Sequence, residues 1–200
     1  YSTETAILRL LNNVLVYCNA ESKARTLLVQ LDLSAAFDTI DIETLLLRAE
    51  HTFGISGCAL LWLKSYLSNR SQFIRVGNQQ SKCTVNEYGV PQGSVLGPLL
   101  FALYVAPVAN VIADFGIGHS QYADDTQLYI ALKDNNALSL LSDCSRAVHN
   151  WFLLNGLSLN PDKSEAIVIG TGARQRSEGS LDVRGVHSIY TRTQPASLAK

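Results

Sequence analysis

Apolar residues recur at helical spacing from the start of the chain: Ile7, Leu10, Leu11, Val14 and Leu15 share one face of a helix that Ser2 and Thr3 are suited to cap. That stripe predicts packing against the sheet that follows. The period then changes. Thr26-Leu27-Leu28-Val29-Gln30-Leu31-Asp32 is β-rich and almost wholly apolar, and it is short enough for a buried strand. Residues 41–51 and 56–68 read as two helices separated by Gly54, with Asp38 as an N-cap ahead of the first. Residues 72–76 and 81–86 read as a hairpin around Gly77-Asn78. The apolar run 96–112 predicts one core helix kinked at Pro98 and Pro107. A hairpin over 118–132 places Asp124 and Asp125 at its turn, and a helix over 137–154 follows. The Asn160-Pro161 turn then leads into a strand over 165–169, and beyond Thr171 the chain is polar and weakly patterned. No internal repeat is present. Antiparallel strands mixed with helices predict an α+β layer fold, an antiparallel sheet packed on helices.

Composition narrows the class. Two hundred residues, 47% of them hydrophobic, suffice for one sizeable core. The net charge of -1 is unusual for a protein that holds a polyanion, because phosphate binding rests on Lys and Arg. An acidic metal site that offsets local basic groups accounts for that balance. Cys18, Cys58, Cys83 and Cys144 are scattered singly, without the spacing of a zinc site or a disulfide framework, and fit a reducing compartment. No apolar run reaches the roughly 20 residues of a membrane span without polar interruption. The opening Tyr1, the lack of a signal-peptide pattern and the absence of methionine point to an internal piece of a longer protein.

The candidate chemistry lies in three carboxylates. Asp124 and Asp125 sit side by side where the backbone must reverse, and Asp32 ends a core strand. Two carboxylates near 4 Å repel by roughly 4 kcal/mol at an effective dielectric of about 20. A site that gathers three of them calls for a cation, and hard oxygen ligands favour Mg²⁺ or Mn²⁺ over zinc. Asp32 at the end of its strand, beside the hairpin that carries Asp124 and Asp125, would put all three on one sheet edge. Such a cluster suits two-metal phosphoryl transfer, in which one ion activates a hydroxyl and the other steadies the leaving group.

Four ordered segments carry a family resemblance. They are Leu31-Asp32-Leu33-Ser34-Ala35-Ala36-Phe37-Asp38, the run Gly89-Val90-Pro91-Gln92-Gly93-Ser94-Val95-Leu96-Gly97-Pro98-Leu99-Leu100-Phe101, Tyr122-Ala123-Asp124-Asp125, and Leu157-Ser158-Leu159-Asn160-Pro161-Asp162-Lys163-Ser164. Over residues 2–170 the chain resembles a reverse transcriptase, most of all those of non-LTR (LINE-type) retrotransposons. Where the family often has an Asp-His pair this chain has Asp41-Ile42, a variation at a helix start.

The resemblance implies the palm of a right-hand polymerase over 26–38 and 91–185 with partial fingers over 39–90. By the same comparison the first finger strands, primer grip and thumb are missing. Asp32, Asp124 and Asp125 are implied as catalytic metal ligands, joined by the Leu33 carbonyl, with two Mg²⁺ ions that Mn²⁺ can replace. The Ala35 and Ala36 amides are implied to hold the triphosphate, Phe37 to exclude a 2′-hydroxyl, Gln92 and Gly93 to position template and nucleotide, and Lys163 to meet the leaving pyrophosphate. Lys64, Arg70, Arg75 and Lys82, interleaved with Trp62, Tyr66 and Phe73, are candidates to guide the template. The implied partners are an RNA template, a DNA primer and deoxynucleoside triphosphates. The implied location is intracellular, in nucleus and cytoplasm as a ribonucleoprotein. A group II intron-type reverse transcriptase, or a decayed remnant that binds RNA or a protein without catalysis, remains an alternative from the sequence.

Overall fold

In the computed structural model, residues 3–19, 25–133 and 136–169 are described. The elements run α1 (Thr3–Asn19), β1 (Arg25–Leu31), β2 (Leu33–Ser34), α2 (Ile42–His51), α3 (Gly57–Leu67), β3 (Arg70–Gln72), β4 (Arg75–Val76), β5 (Gln79–Gln80) and β6 (Thr84–Asn86). Then come α4 (Gly97–Val105), α5 (Val108–Ala113), β7 (Gly118–Tyr122), β8 (Asp125–Leu132), α6 (Ala137–Leu154), β9 (Ser158–Leu159), a 3₁₀ turn (Pro161–Lys163) and β10 (Glu165–Ile169). The fold is α+β.

Two compact units divide it. One holds the described parts of 1–34, 107–154 and 158–200, and the other holds 35–106 and 155–157. The first is built on an antiparallel sheet ordered β10-β1-β8-β7. Its central strand is as apolar as predicted, with Leu27, Val29 and Leu31 fully buried. Helix α6 turns Ala137, Leu141, Cys144, Val148 and Phe152 inward at helical spacing, and it packs against α5, β8 and β9. At the edge of the sheet Gly118 pairs with Tyr129, whose ring occupies the space where a Cβ at 118 would sit. A larger residue there would displace the ring.

Helix α1 lies against β1 and β8, but on a narrower face than its apolar stripe predicts. Val14 is buried and Asn13 donates to the Tyr129 hydroxyl at 3.0 Å, whereas Ile7, Leu11 and Leu15 stay about half exposed. The face that meets the sheet runs through Ala6, Leu10, Asn13 and Val14, one step around the helix from the expected one.

In the second unit, α2 is capped by Asp41, whose side chain accepts from the Thr44 amide at 2.7 Å. Asp38, the expected cap, instead closes a turn by donating its amide to Ala35 O at 3.0 Å. Arg48, Tyr104 and Asn155 form a knot the sequence did not announce. The Arg48 guanidinium lies 4.5 Å from the Tyr104 ring centroid and donates to Tyr104 O and Asn155 Oδ1, and the Tyr104 hydroxyl donates to Asn155 O at 2.8 Å. The single kinked helix expected over 96–112 is two helices. Pro107 breaks it, while Pro98 falls in the first turn of α4, where a missing amide costs nothing.

The chain at 89–97 is held tightly to the segment after Ser34. Gly89 N donates to Ile40 O and Val90 N to Phe37 O, each at 2.8 Å. Gly89 has φ +81, and a Cβ there would lie 2.9 Å from Asp38 Cα, Asp38 O and Phe37 O. Backbone cannot yield as a flexible side chain can. Gly89→Ala is therefore expected to destabilise the second unit by about 3 kcal/mol, from the left-handed conformation and the clash together. Chemical denaturation monitored in that unit checks this, and an unchanged midpoint would contradict it.

Candidate active site

The site forms where β1 ends. Leu31 pairs with Thr126, so Asp32 and Asp125 both stand one step beyond that last pair of the β1-β8 ladder. Across the β7-β8 hairpin Tyr122 pairs with Asp125, leaving Ala123 and Asp124 as a two-residue turn with Ala123 at φ 51. The hairpin thus presents Asp124 at its tip and Asp125 at the first position of β8. The Tyr122 and Thr3 hydroxyls are 3.4 Å apart, which ties the turn to the first residue of α1.

Asp125 is affected by the other two carboxylates. The Asp125 carboxyl is pushed above the usual carboxylate range, first by burial and then by the Asp124 charge; an amide hydrogen bond from Gln30 at 3.3 Å opposes the shift, and the Asp32 charge adds to it. Acid-only neighbours and oxygen donors are the chemistry a hard divalent cation relieves. Among the described residues, no group of three or more His, Cys, Asp and Glu side chains is arranged to hold a metal ion as it stands. The donor set fits such an ion in kind.

A raised carboxyl keeps its proton to higher pH in the folded chain than in the unfolded one. Between the usual range and the raised one the native state binds more protons, so stability falls as pH rises through that window. Asp125→Asn should accordingly melt higher than the native protein at neutral pH, and the gap should close as pH falls towards 3. Paired thermal melts across that range check it. A gap that is absent or that widens on acidification would contradict the electrostatic account.

Asp32 is fixed from its other side. Its carbonyl accepts from Asn160 N at 2.8 Å, and its amide donates to Ser164 Oγ at 3.3 Å. Lys163 lies on the same short turn with its side chain exposed. Leu33, whose side chain is buried, pairs with Leu159.

The remaining candidates lie in the second unit. Ala35 has φ 49 and is exposed, Ala36 is buried, and the Phe37 ring, half-buried, packs on Phe101 with centroids 5.1 Å apart. Gln92 and Gly93 are exposed on a loop. Ser94 Oγ donates to Pro91 O at 2.7 Å and accepts from Gly97 N at 3.0 Å, which stiffens that loop. Arg70 differs from its expected role as a template guide. It donates to the carbonyls of Leu67, Tyr88 and Gly89, so its guanidinium fastens backbone. Trp62 stacks on Tyr66 at 5.5 Å and remains 57% exposed, open to a base-sized partner.

Two residues that contact Asp125 and Asp32 escaped sequence reasoning. Gln30 reads as one polar position in an apolar strand, and Ser164 as the tail of a turn. Their role depends on register, which periodicity alone does not give.

The sequence profile described as Reverse transcriptase (RNA-dependent DNA polymerase) matches residues 2–189. The chain belongs to the reverse transcriptase family. It is 34% identical over 154 residues to the probable RNA-directed DNA polymerase from transposon BS of Drosophila melanogaster, covering 74% of this chain and 16% of that protein. It is 31% identical over 176 residues to the retrovirus-related Pol polyprotein from type-1 retrotransposable element R2 of Popillia japonica, covering 82% and 24%. These are relatives of the non-LTR kind that the motifs resemble, and the chain spans less than a quarter of their length.

Among solved structures, apo telomerase from Candida tropicalis, truncated from its C-terminal domain, superposes with a TM-score of 0.63 at 16% identity, over 88% of this chain and 36% of that one. Telomerase from the same organism in complex with a TWJ fragment of telomeric RNA gives 0.63 at 15% identity, over 96% and 34%. The reverse transcriptase fold is shared. No helix among the described residues is long and apolar enough to cross a membrane.

Proposed function

We propose that this chain is the catalytic core of an RNA-directed DNA polymerase from a non-LTR retrotransposon, with Asp32, Asp124 and Asp125 as its metal-binding carboxylates. The observation that carries this reading is the strand register that sets Asp32 and Asp125 one step beyond the Leu31↔Thr126 pair, with Asp124 at the adjoining hairpin turn, in a chain of this family. Residues 26–38 and 91–185 are assigned to the palm, and residues 39–90 to the fingers.

Asp32, Asp124, Asp125 and the Leu33 carbonyl would hold two Mg²⁺ ions, with Mn²⁺ a possible substitute. Bound there, the ions would lower the pKa of the primer 3′-hydroxyl and offset charge on the leaving pyrophosphate. The chain's own residues orient the substrates. The amides of Ala35 and Ala36 receive the triphosphate, Phe37 supports the sugar of the incoming deoxynucleotide, and Gln92 and Gly93 set the template base against it. Lys163 donates a proton or a hydrogen bond to the departing pyrophosphate. An RNA template and a DNA primer are the partners, and a ribonucleoprotein of nucleus and cytoplasm is the setting.

The full-length protein, given a DNA primer on an RNA template, four deoxynucleoside triphosphates and Mg²⁺, is expected to extend the primer in the template's sequence. Failure to extend under either Mg²⁺ or Mn²⁺ would overturn the reading and favour a remnant without catalysis.

A further inference from the structure

The edge strand opposite Asp32 is broken at one place. Gln30 pairs with Glu165 and Leu33 with Leu159, so the two residues between them on one strand face five on the other. The surplus is the 3₁₀ turn Pro161–Lys163, which stands opposite Asp32. In an unbroken ladder the Asp32 amide would meet a carbonyl of the edge strand. Here it meets Ser164 Oγ at 3.3 Å, and the same hydroxyl donates to Asn160 O at 2.8 Å.

Ser164 is 2% exposed, so water cannot readily replace that hydroxyl. Asn160 completes the fastening. Its amide donates to Asp32 O at 2.8 Å, and its side chain accepts from Asp162 N at 3.2 Å. One hydroxyl therefore joins both ends of the turn that carries Lys163 to the peptide that carries the Asp32 carboxylate.

Resting on the reading of Asp32 as a metal-binding carboxylate, we propose that Ser164 is a positioning residue that sets the Asp32 peptide, and through it the place at which the carboxylate meets a divalent cation. Ser164 touches no substrate. Removing its hydroxyl leaves the Asp32 amide without its acceptor and frees the peptide to rotate, which affects cation binding and turnover before nucleotide affinity. The backbone pairs Leu33↔Leu159 and Ser34↔Ser158 still hold the loop in place, so the fold survives.

The test compares full-length Ser164→Ala, Ser164→Thr, Asp32→Asn and the native protein. Ser145→Ala serves as control, a buried serine of α6 whose hydroxyl has no hydrogen-bond partner among the described residues. Three readouts are used: hydrogen exchange at the Asp32 amide without cation, Mn²⁺ affinity without nucleotide, and single-nucleotide kinetics on an RNA template. Ser164→Ala is expected to speed exchange at Asp32, weaken Mn²⁺ binding about tenfold and lower kcat about tenfold, while KM for the nucleotide changes by less than about twofold. Ser164→Thr should restore all three, and Ser145→Ala should match the native protein.

Native Mn²⁺ affinity in Ser164→Ala would overturn the proposal, as would equal losses in Ser145→Ala or failure of Ser164→Thr to recover. With Asp32→Asn inactive beside it, either result leaves the polymerase reading standing. Native cation affinity and turnover in Asp32→Asn would instead remove the reading on which the proposal rests.

Discussion

Asp32→Asn is expected to cut single-nucleotide incorporation by about 1000-fold, equivalent to ~4 kcal/mol of transition-state stabilisation, in a protein that still folds. The loss follows from taking one charge out of an all-oxygen acidic site. The fold survives because the contacts that fix residue 32 are made by its backbone: the carbonyl accepts from Asn160 and the amide donates to Ser164. Asparagine keeps both. Removing the charge also relieves part of the repulsion that raises the Asp125 carboxyl, so the variant should melt at or above the native temperature. Kinetics and a thermal melt on one preparation separate the alternatives. Lost activity with a lowered melting temperature would make Asp32 a folding residue, and retained activity would remove it from the chemistry.

Phe37 carries the second large effect. Phe37→Ala or Phe37→Val is expected to raise ribonucleotide incorporation relative to deoxynucleotide by at least about tenfold, a change of roughly 1.4 kcal/mol in discrimination. Phe37 lies five residues after Asp32 in sequence, and the proposed role of its ring is to exclude a 2′-hydroxyl. The structure adds a constraint. The ring packs on Phe101 at 5.1 Å and the Phe37 carbonyl accepts from Val90 N, so the ring has a packing partner and its backbone a fixed one. Truncation also removes that packing, and some stability should be lost in parallel. The ratio of kcat/KM for matched ribo- and deoxyribonucleotides on one template reads selectivity apart from stability. An unchanged ratio with a lowered melting temperature would return Phe37 to core packing.

Long elements with a clear period were legible in the sequence. The helix over 137–154 and the strand over 165–169 fall as predicted, and the strand before Asp32 is shifted by a single residue. The hairpin over 118–132 was legible, but its turn is Ala123-Asp124, and Asp125, expected at the turn, opens β8 instead because it pairs with Tyr122. The pieces that were not legible are those decided by register. β2 and β9 are two residues each, too short to show any period, yet their pairing is what brings the Asn160–Ser164 turn onto Asp32.

Single-residue competition accounts for other misses. Asp38 and Asp41 are equally good caps on paper, and only the helix start at Ile42 selects between them. Pro98 and Pro107 look alike in a hydrophobic run, but one falls in a first turn and the other between two helices. Arg70 reads as a surface charge until the carbonyls of Leu67, Tyr88 and Gly89 are seen to converge on it.

The central claim is that the Asp32, Asp124 and Asp125 end of this sheet performs RNA-directed DNA synthesis. Its most direct test is single-turnover addition of one deoxynucleotide to a DNA primer on an RNA template, with Mg²⁺, by the full-length native protein, Asp124→Asn and Asp114→Asn. Asp114 is an exposed acid at the end of α5, remote in role but identical in charge. The account predicts template-directed addition by the native protein and by Asp114→Asn, and a loss of about 1000-fold in Asp124→Asn. Addition by Asp124→Asn at the native rate would contradict it.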